Sequence, residues 1–190
     1  MIVGNANAHV VEAFGHVADW PFGTAVLSGP PRSGKSLLAR HFANSGHGVA
    51  IDDAPALDET ALFHRWNAAQ EEGAALLLVA PDCAWPIALP DLASRVGAAL
   101  VLRIGVPDDA MLAALIEGHA AVRRLALGEG AGEWLRPRIE RSHAAVEAVI
   151  AAADRISLAR KQAVTISLLR EALIATGLAE TGGEWQPDLL

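Results

Sequence analysis

Apolar positions fall into short continuous runs in the first half of the chain and into helically spaced stripes in the second. Residues 8–14 have the pattern of a helix, and Thr24-Ala25-Val26-Leu27-Ser28 forms a run of strand length that enters a glycine-containing loop. The spacing predicts a helix from Lys35 to about Asn44, closed by the Ser45-Gly46-His47-Gly48 turn. Val49-Ala50-Ile51 then reads as a second strand, ending in Asp52 and Asp53. Asp58 can cap a further helix, whose Leu62, Phe63, Trp66 and Ala69 share a face and which Gly73 ends.

Residues 74–80 are continuously apolar, as expected of a parallel strand covered on both faces, and residues 100–104 make a fourth such run. Strands alternating with helices predict a parallel α/β sheet. After Pro107 the texture changes to helical stripes: Met111, Leu112, Leu115 and Ile116; then Val146, Val149, Ile150 and Ala153; then Leu168, Leu169, Ala172 and Leu173. The expected organisation is an α/β core over residues 1–106, an all-helical lid over 107–177 and a tail over 178–190. Trp66 and Trp85 read as core residues.

Composition narrows the class. Hydrophobic residues make up 52% of the chain, yet no run approaches the ~20 residues that span a bilayer. The N-terminus carries no export signal, and the single cysteine, Cys83, forms no internal disulfide, so a cytoplasmic protein without membrane contact is expected. The net charge of −7, with only Lys35 and Lys161 as lysines, argues against sequence-specific DNA binding through a basic surface. The arginines between Arg136 and Arg141 read as a solvated helix face, and His41, His64 and His143 show no metal-ligand spacing.

Candidate chemistry concentrates in Gly29-Pro30-Pro31-Arg32-Ser33-Gly34-Lys35-Ser36, which matches G-x-x-x-x-G-K-S between a strand and a helix. Such a turn aims successive backbone N–H groups at a β-phosphate, and the positive end of the following helix adds to the field. Gly34 leaves room for close approach, Lys35 reaches the β- and γ-phosphates, and the Ser36 hydroxyl can ligate Mg²⁺. A nucleoside di- or triphosphate with Mg²⁺ is therefore the expected ligand. Asp52, at the end of a neighbouring parallel strand, can hold Mg²⁺ through water, and Asp53 can orient or deprotonate an attacking water. Alternatively, the two aspartates only cap the strand and begin a turn.

With Ile2-Val3-Gly4-Asn5, the phosphate loop, Ile51-Asp52-Asp53, Leu92-Ala93-Ser94-Arg95 and the helical C-terminal part in this order, the chain resembles the DnaA/Hda family of AAA+ proteins. Trp85-Pro86-Ile87-Ala88-Leu89-Pro90-Asp91-Leu92 and Arg138-Ile139-Glu140-Arg141-Ser142 are similar to the alphaproteobacterial Hda-like regulators of replication initiation. The resemblance implies a P-loop AAA+ core with a short parallel sheet and a helical lid. It also implies ADP or ATP with Mg²⁺ as the cofactor, that Ile2 and Val3 pack on the adenine, and that Leu37 belongs to the nucleotide site. Arg95 matches the arginine finger that enters a neighbour's ATP site, with a DnaA-like initiator and the DNA sliding clamp as partners.

The chain also departs from that family. Seventeen positions separate Lys35 from Asp52, too few for the strand and helix the family inserts there, so a four-stranded sheet is expected. The polar sensor position falls near Ala80-Pro81-Asp82, and the lid arginine aligns with Ala144, with Arg141 one turn earlier. Hydrolysis by this chain alone is therefore expected to be weak or partner-dependent. Relatives carry a clamp-binding peptide ahead of the Val-Gly-Asn segment. Here Gln186-Pro187-Asp188-Leu189-Leu190 resembles it, so Gln186, Leu189 and Leu190 are the candidate clamp contacts. Two other functions are compatible with the sequence: an adaptor with a structural nucleotide, and a small-molecule kinase.

Overall fold

The computed structural model describes residues 1–82 and 85–178. Strands β1 (Thr24–Ser28), β2 (Gly48–Ile51), β3 (Ala75–Val79) and β4 (Leu100–Arg103) form one parallel sheet in the order β2-β3-β1-β4. Every residue of β3 is buried, as its unbroken apolar run requires, and β1 and β3 occupy the centre. The four strands and the α/β class agree with the sequence. The position of β2 does not: it is an edge strand paired with β3, so Asp52 does not follow the direct neighbour of β1. Strand order is set by pairing between distant segments, which local pattern does not encode.

Helices α1 (Ala8–Phe14), α2 (Lys35–Asn44), α3 (Glu59–Glu72) and α4 (Pro90–Gly97) accompany the sheet. The Asp58 carboxylate caps α3 by accepting from Ala61 N–H, and Gly73 ends it at φ 64°. Leu62, Trp66 and Ala69 of α3 and Leu92 of α4 pack with Ile51, Leu76 and Leu78 in a cluster against which Trp85 and Phe63 lie half-buried. The Trp66 indole donates to Thr24 Oγ1 at 3.1 Å, which satisfies the polar end of a buried ring. Phe14, Trp20 and Phe42 make a second aromatic cluster, with ring centroids 5.0–6.4 Å apart.

The chain divides into two compact units, one spanning Val3–Val106 and one containing Ile2 with the residues from Pro107 onward. The second unit consists of α5 (Asp109–Val122), α6 (Ala131–Leu135), α7 (His143–Arg160) and α8 (Ile166–Thr176). Asp108, Ser142 and Thr165 cap α5, α7 and α8 through their side-chain oxygens. Among the described residues after β4, the only β pairing is an isolated bridge between Leu127 and Val164. The arginines from Arg136 do not form a helix face: Arg136–Arg138 is a single 3₁₀ turn, followed by extended, buried Ile139. Pro137 supplies no backbone donor there. No helix among the described residues is long and apolar enough to cross a membrane.

His143 opens α7, and its Nε2 is buried without a hydrogen-bond partner. Burial and, secondarily, the nearby His119 hold its pKa below the ordinary histidine value. A histidine that is harder to protonate when folded leaves the unfolded chain binding more protons, so stability rises with pH. The contribution is full above about pH 6.5, the unfolded value, and is lost as pH falls below it. Replacing His143 with leucine should therefore flatten the decline in stability between about pH 7 and pH 5, as read by denaturant unfolding. An unchanged slope would contradict this placement of the ring.

Candidate phosphate-binding site

The loop between β1 and α2 lies at the carboxyl edge of the sheet, where parallel α/β folds bind ligands. Gly29 is required by space: a Cβ there would meet Ile104 Cβ at 2.9 Å. Gly34 is required by conformation, since it caps α2 at φ 90° although a Cβ there would find nothing within 4 Å. No side chain caps α2, so its first-turn N–H groups, those of Lys35, Ser36 and Leu37, have no intrahelical acceptor. Arg32 sits in the left-handed region at φ 59°, and the hydroxyl of buried Ser33 is unpaired. Strain of this kind, of order 1–3 kcal/mol per residue, persists where surrounding structure enforces it.

Gly29, Pro31, Lys35 and Ser36 line a cleft of about 460 Å³ together with Asp52, Asp53, Val79, Ala80, Pro81 and Asp82. That volume is in the range of small-molecule sites. Lys35 Nζ donates to the carbonyls of Gly29 at 2.7 Å and Pro30 at 2.8 Å. Burial lowers the Lys35 pKa, while the carboxylates of Asp82 and then Asp52 pull it back up. Asp52 Oδ1 accepts from Asp53 N–H at 3.1 Å, and Asp53 adopts φ 52°, a left-handed conformation that aspartate tolerates better than most residues. Although β3 intervenes, the edge strand β2 still delivers both aspartates to the cleft.

Other candidate residues lie elsewhere. Arg95, at the end of α4, is half-buried, with its guanidinium 4.3 Å from the Phe63 ring centroid and 4.2 Å from that of Trp66. Its Nη1 also donates to Asn67 Oδ1 at 2.5 Å. Leu37 is exposed on the first turn of α2, Val3 is half-exposed, and neither they nor Ile2 line the cleft. Gln186, Leu189 and Leu190 lie outside the described residues. Arg141 pairs with Asp109 in the helical unit.

Sequence reasoning placed the polar sensor near Ala80-Pro81-Asp82 without making Asp82 a site residue, and it missed Arg103. Arg103 Nη2 lies 2.8 Å from both Asp82 carboxylate oxygens, and Asp82 forms part of the cleft wall. The available signal was that each stands at the carboxyl end of a strand run, where site residues of parallel sheets gather.

No protein-family profile matches the chain. Among solved structures, domain III of the replication initiation protein DnaA from Thermotoga maritima is similar over 92% of this chain and 94% of its own length. The TM-score is 0.74 at 15% identity. RuvB of Thermotoga maritima matches over 92% of this chain and 70% of its own, with TM-score 0.66 and 13% identity. Replication initiator DnaA bound to AMPPCP and single-stranded DNA matches over 85% and 66%, with TM-score 0.61 and 14% identity. At such identities the likeness establishes the fold, and this chain has the α/β fold of P-loop AAA+ domains.

Proposed function

We propose that this chain is an adenine-nucleotide-binding AAA+ regulator of the Hda-like kind, acting on a DnaA-like initiator in replication initiation. The observation that carries it is the cleft in which Lys35, Ser36 and Asp52 meet at the head of α2. The first-turn N–H groups and the Lys35 ammonium match phosphate oxygens in charge and hydrogen-bonding sense. Among the described residues no group of three His, Cys, Asp or Glu side chains forms a preassembled metal cage. A Mg²⁺ ion here would rest on the Ser36 hydroxyl and Asp52, with the nucleotide's own oxygens completing its shell. In this reading Asp53, which also lines the cleft, orients a water. The DnaA structure bound to AMPPCP supports the reading by fold likeness. Binding of ADP and ATP by the purified chain, lost in Lys35→Ala, tests it.

In this proposal Arg95 acts in trans, stabilising charge on a phosphoryl group transferring in the partner's site. To do so its guanidinium has to leave Phe63, Trp66 and Asn67, where cation–π contact and a hydrogen bond hold it. That intramolecular placement favours a second reading: Arg95 is structural, and the chain is an adaptor whose nucleotide stabilises its fold. Arg95→Ala separates the two. It should cost about 1–2 kcal/mol of stability under either reading and leave ADP affinity unchanged. Only the regulatory reading predicts that stimulation of a DnaA-like ATPase disappears, which a single-turnover hydrolysis assay with the folded variant decides. Contact with the sliding clamp through Gln186, Leu189 and Leu190 belongs to this proposal too. A pull-down with residues 186–190 deleted tests it.

A further inference from the structure

Helices α7 and α8 pack against each other across the turn at residues 161–165, and a groove of about 350 Å³ opens between them. Its apolar lining is Ala152, Ile156, Ala159 and Ala175, and its charged lining is Arg155 and Arg160. The α7 residues recur three and four apart, so they share one face of that helix. Ala159 and Ala175 are exposed and Ile156 is half-buried. The Glu171 carboxylate accepts from Arg160 at 2.8 and 2.6 Å. Among the described residues no carboxylate pairs with Arg155. The groove thus sets uncovered apolar surface beside cations, and the occupant it fits brings apolar side chains and carboxylates together.

The chain carries such a segment immediately after α8. Ala175 is the penultimate residue of that helix, and residues 179–190, which lie outside the described residues, follow it closely. They include Glu180, Glu184 and Asp188 with no lysine or arginine, and Trp185, Leu189 and Leu190 as large apolar side chains. We propose that the α7–α8 groove is the docking site for this chain's own residues 179–190. Reach is sufficient: Ala152 and Arg160 stand about 12 Å apart along α7, and residues 184–188 extended span about 17 Å. Gly182-Gly183 permits the reversal that brings the chain back along α7. Trp185 fills the apolar lining, and Glu184 and Asp188 add carboxylates beside Arg155 and Arg160. Tethering makes weak contact effective. A free-peptide Kd of about 0.1 mM, against an effective concentration of about 1 mM, fills the groove about nine-tenths of the time. Seated residues are withheld from other partners, so the clamp contact proposed above requires their release. The docking itself does not rest on that contact.

Fluorine NMR of the intact chain labelled with fluorotryptophan tests the docking. Trp185→Phe assigns the Trp185 resonance, and a synthetic peptide of residues 179–190 gives its unbound position. In the parent the resonance should stand away from that of the peptide. Arg155→Glu should weaken docking about tenfold, which lowers occupancy to about half and moves the resonance about half way back. Ala159→Glu, at an exposed helix position that tolerates glutamate, puts a carboxylate in the groove and should act in the same direction. Arg65→Glu on α3 changes the net charge equally, outside the groove lining, and should move nothing. Circular dichroism confirms that each variant is folded. A parent resonance at the peptide's position overturns the proposal, as does a displaced resonance that neither groove variant moves. Equal movement in Arg65→Glu overturns it too. A displacement that grows with protein concentration makes a second copy the occupant and overturns docking within one chain.

Discussion

Lys35→Ala weakens binding of both ADP and ATP by more than about tenfold in a protein that remains folded. Among the described residues lining the cleft, Lys35 is the only cationic side chain, and three carboxylates share the wall with it. Without the ammonium, the phosphates meet the N–H groups of the loop alone, opposed by Asp82 and Asp52, the same carboxylates that raise the lysine's pKa against burial. The fold should tolerate the change, since Lys35 bonds only to the loop carbonyls of Gly29 and Pro30. Fluorescent-nucleotide titration, with unlabelled ADP and ATP as competitors, checks the result. Equal affinity in parent and variant would remove the phosphate loop from the account.

The second large effect is on the fold. Gly48→Val should destabilise the first unit by about 3 kcal/mol, because a Cβ at Gly48 would lie 2.1 Å from Ala75 O and 2.8 Å from its carbonyl carbon. Those are backbone atoms of the register partner, so no rotamer change relieves the contact. Strand β2 has to shift away from β3, and Asp52 and Asp53 shift with it. A loss of that size lowers Tm by roughly 6–12 °C for a chain of this length. Thermal and urea unfolding followed by circular dichroism measure it. A variant as stable as the parent would contradict the close approach of β2 and β3.

Segments whose local signals agree with one another were legible in the sequence. The Thr24–Ser28 strand, the glycines of the loop and the helix from Lys35 follow from apolar continuity, turn chemistry and a helix start acting on consecutive residues. Asp58 and Gly73 bracket α3 for the same reason. What was not legible depends on residues far apart in the chain. The insertion of β3 between β1 and β2 is a matter of pairing, and the Arg103–Asp82 contact joins two strand ends that only the sheet order brings to either side of β1. The seat that Phe63 and Trp66 form for the Arg95 guanidinium likewise exists only once α3 and α4 pack. In the helical unit, α6 and the Arg136–Arg138 turn are too short to show a helical period, and Pro137 removes the backbone donor that would have extended them.

The central claim is that one short stretch of backbone, from Gly29 into the first turn of α2, receives the nucleotide phosphates. Hydrogen–deuterium exchange with and without saturating ADP and Mg²⁺ tests it most directly, because it reads the same N–H groups that have no intrahelical acceptor. The account predicts that ADP slows exchange most strongly in peptides covering residues 29–38, with lesser protection at Asp52 and Asp53. Protection confined to other segments, or none anywhere at saturating nucleotide, would contradict it.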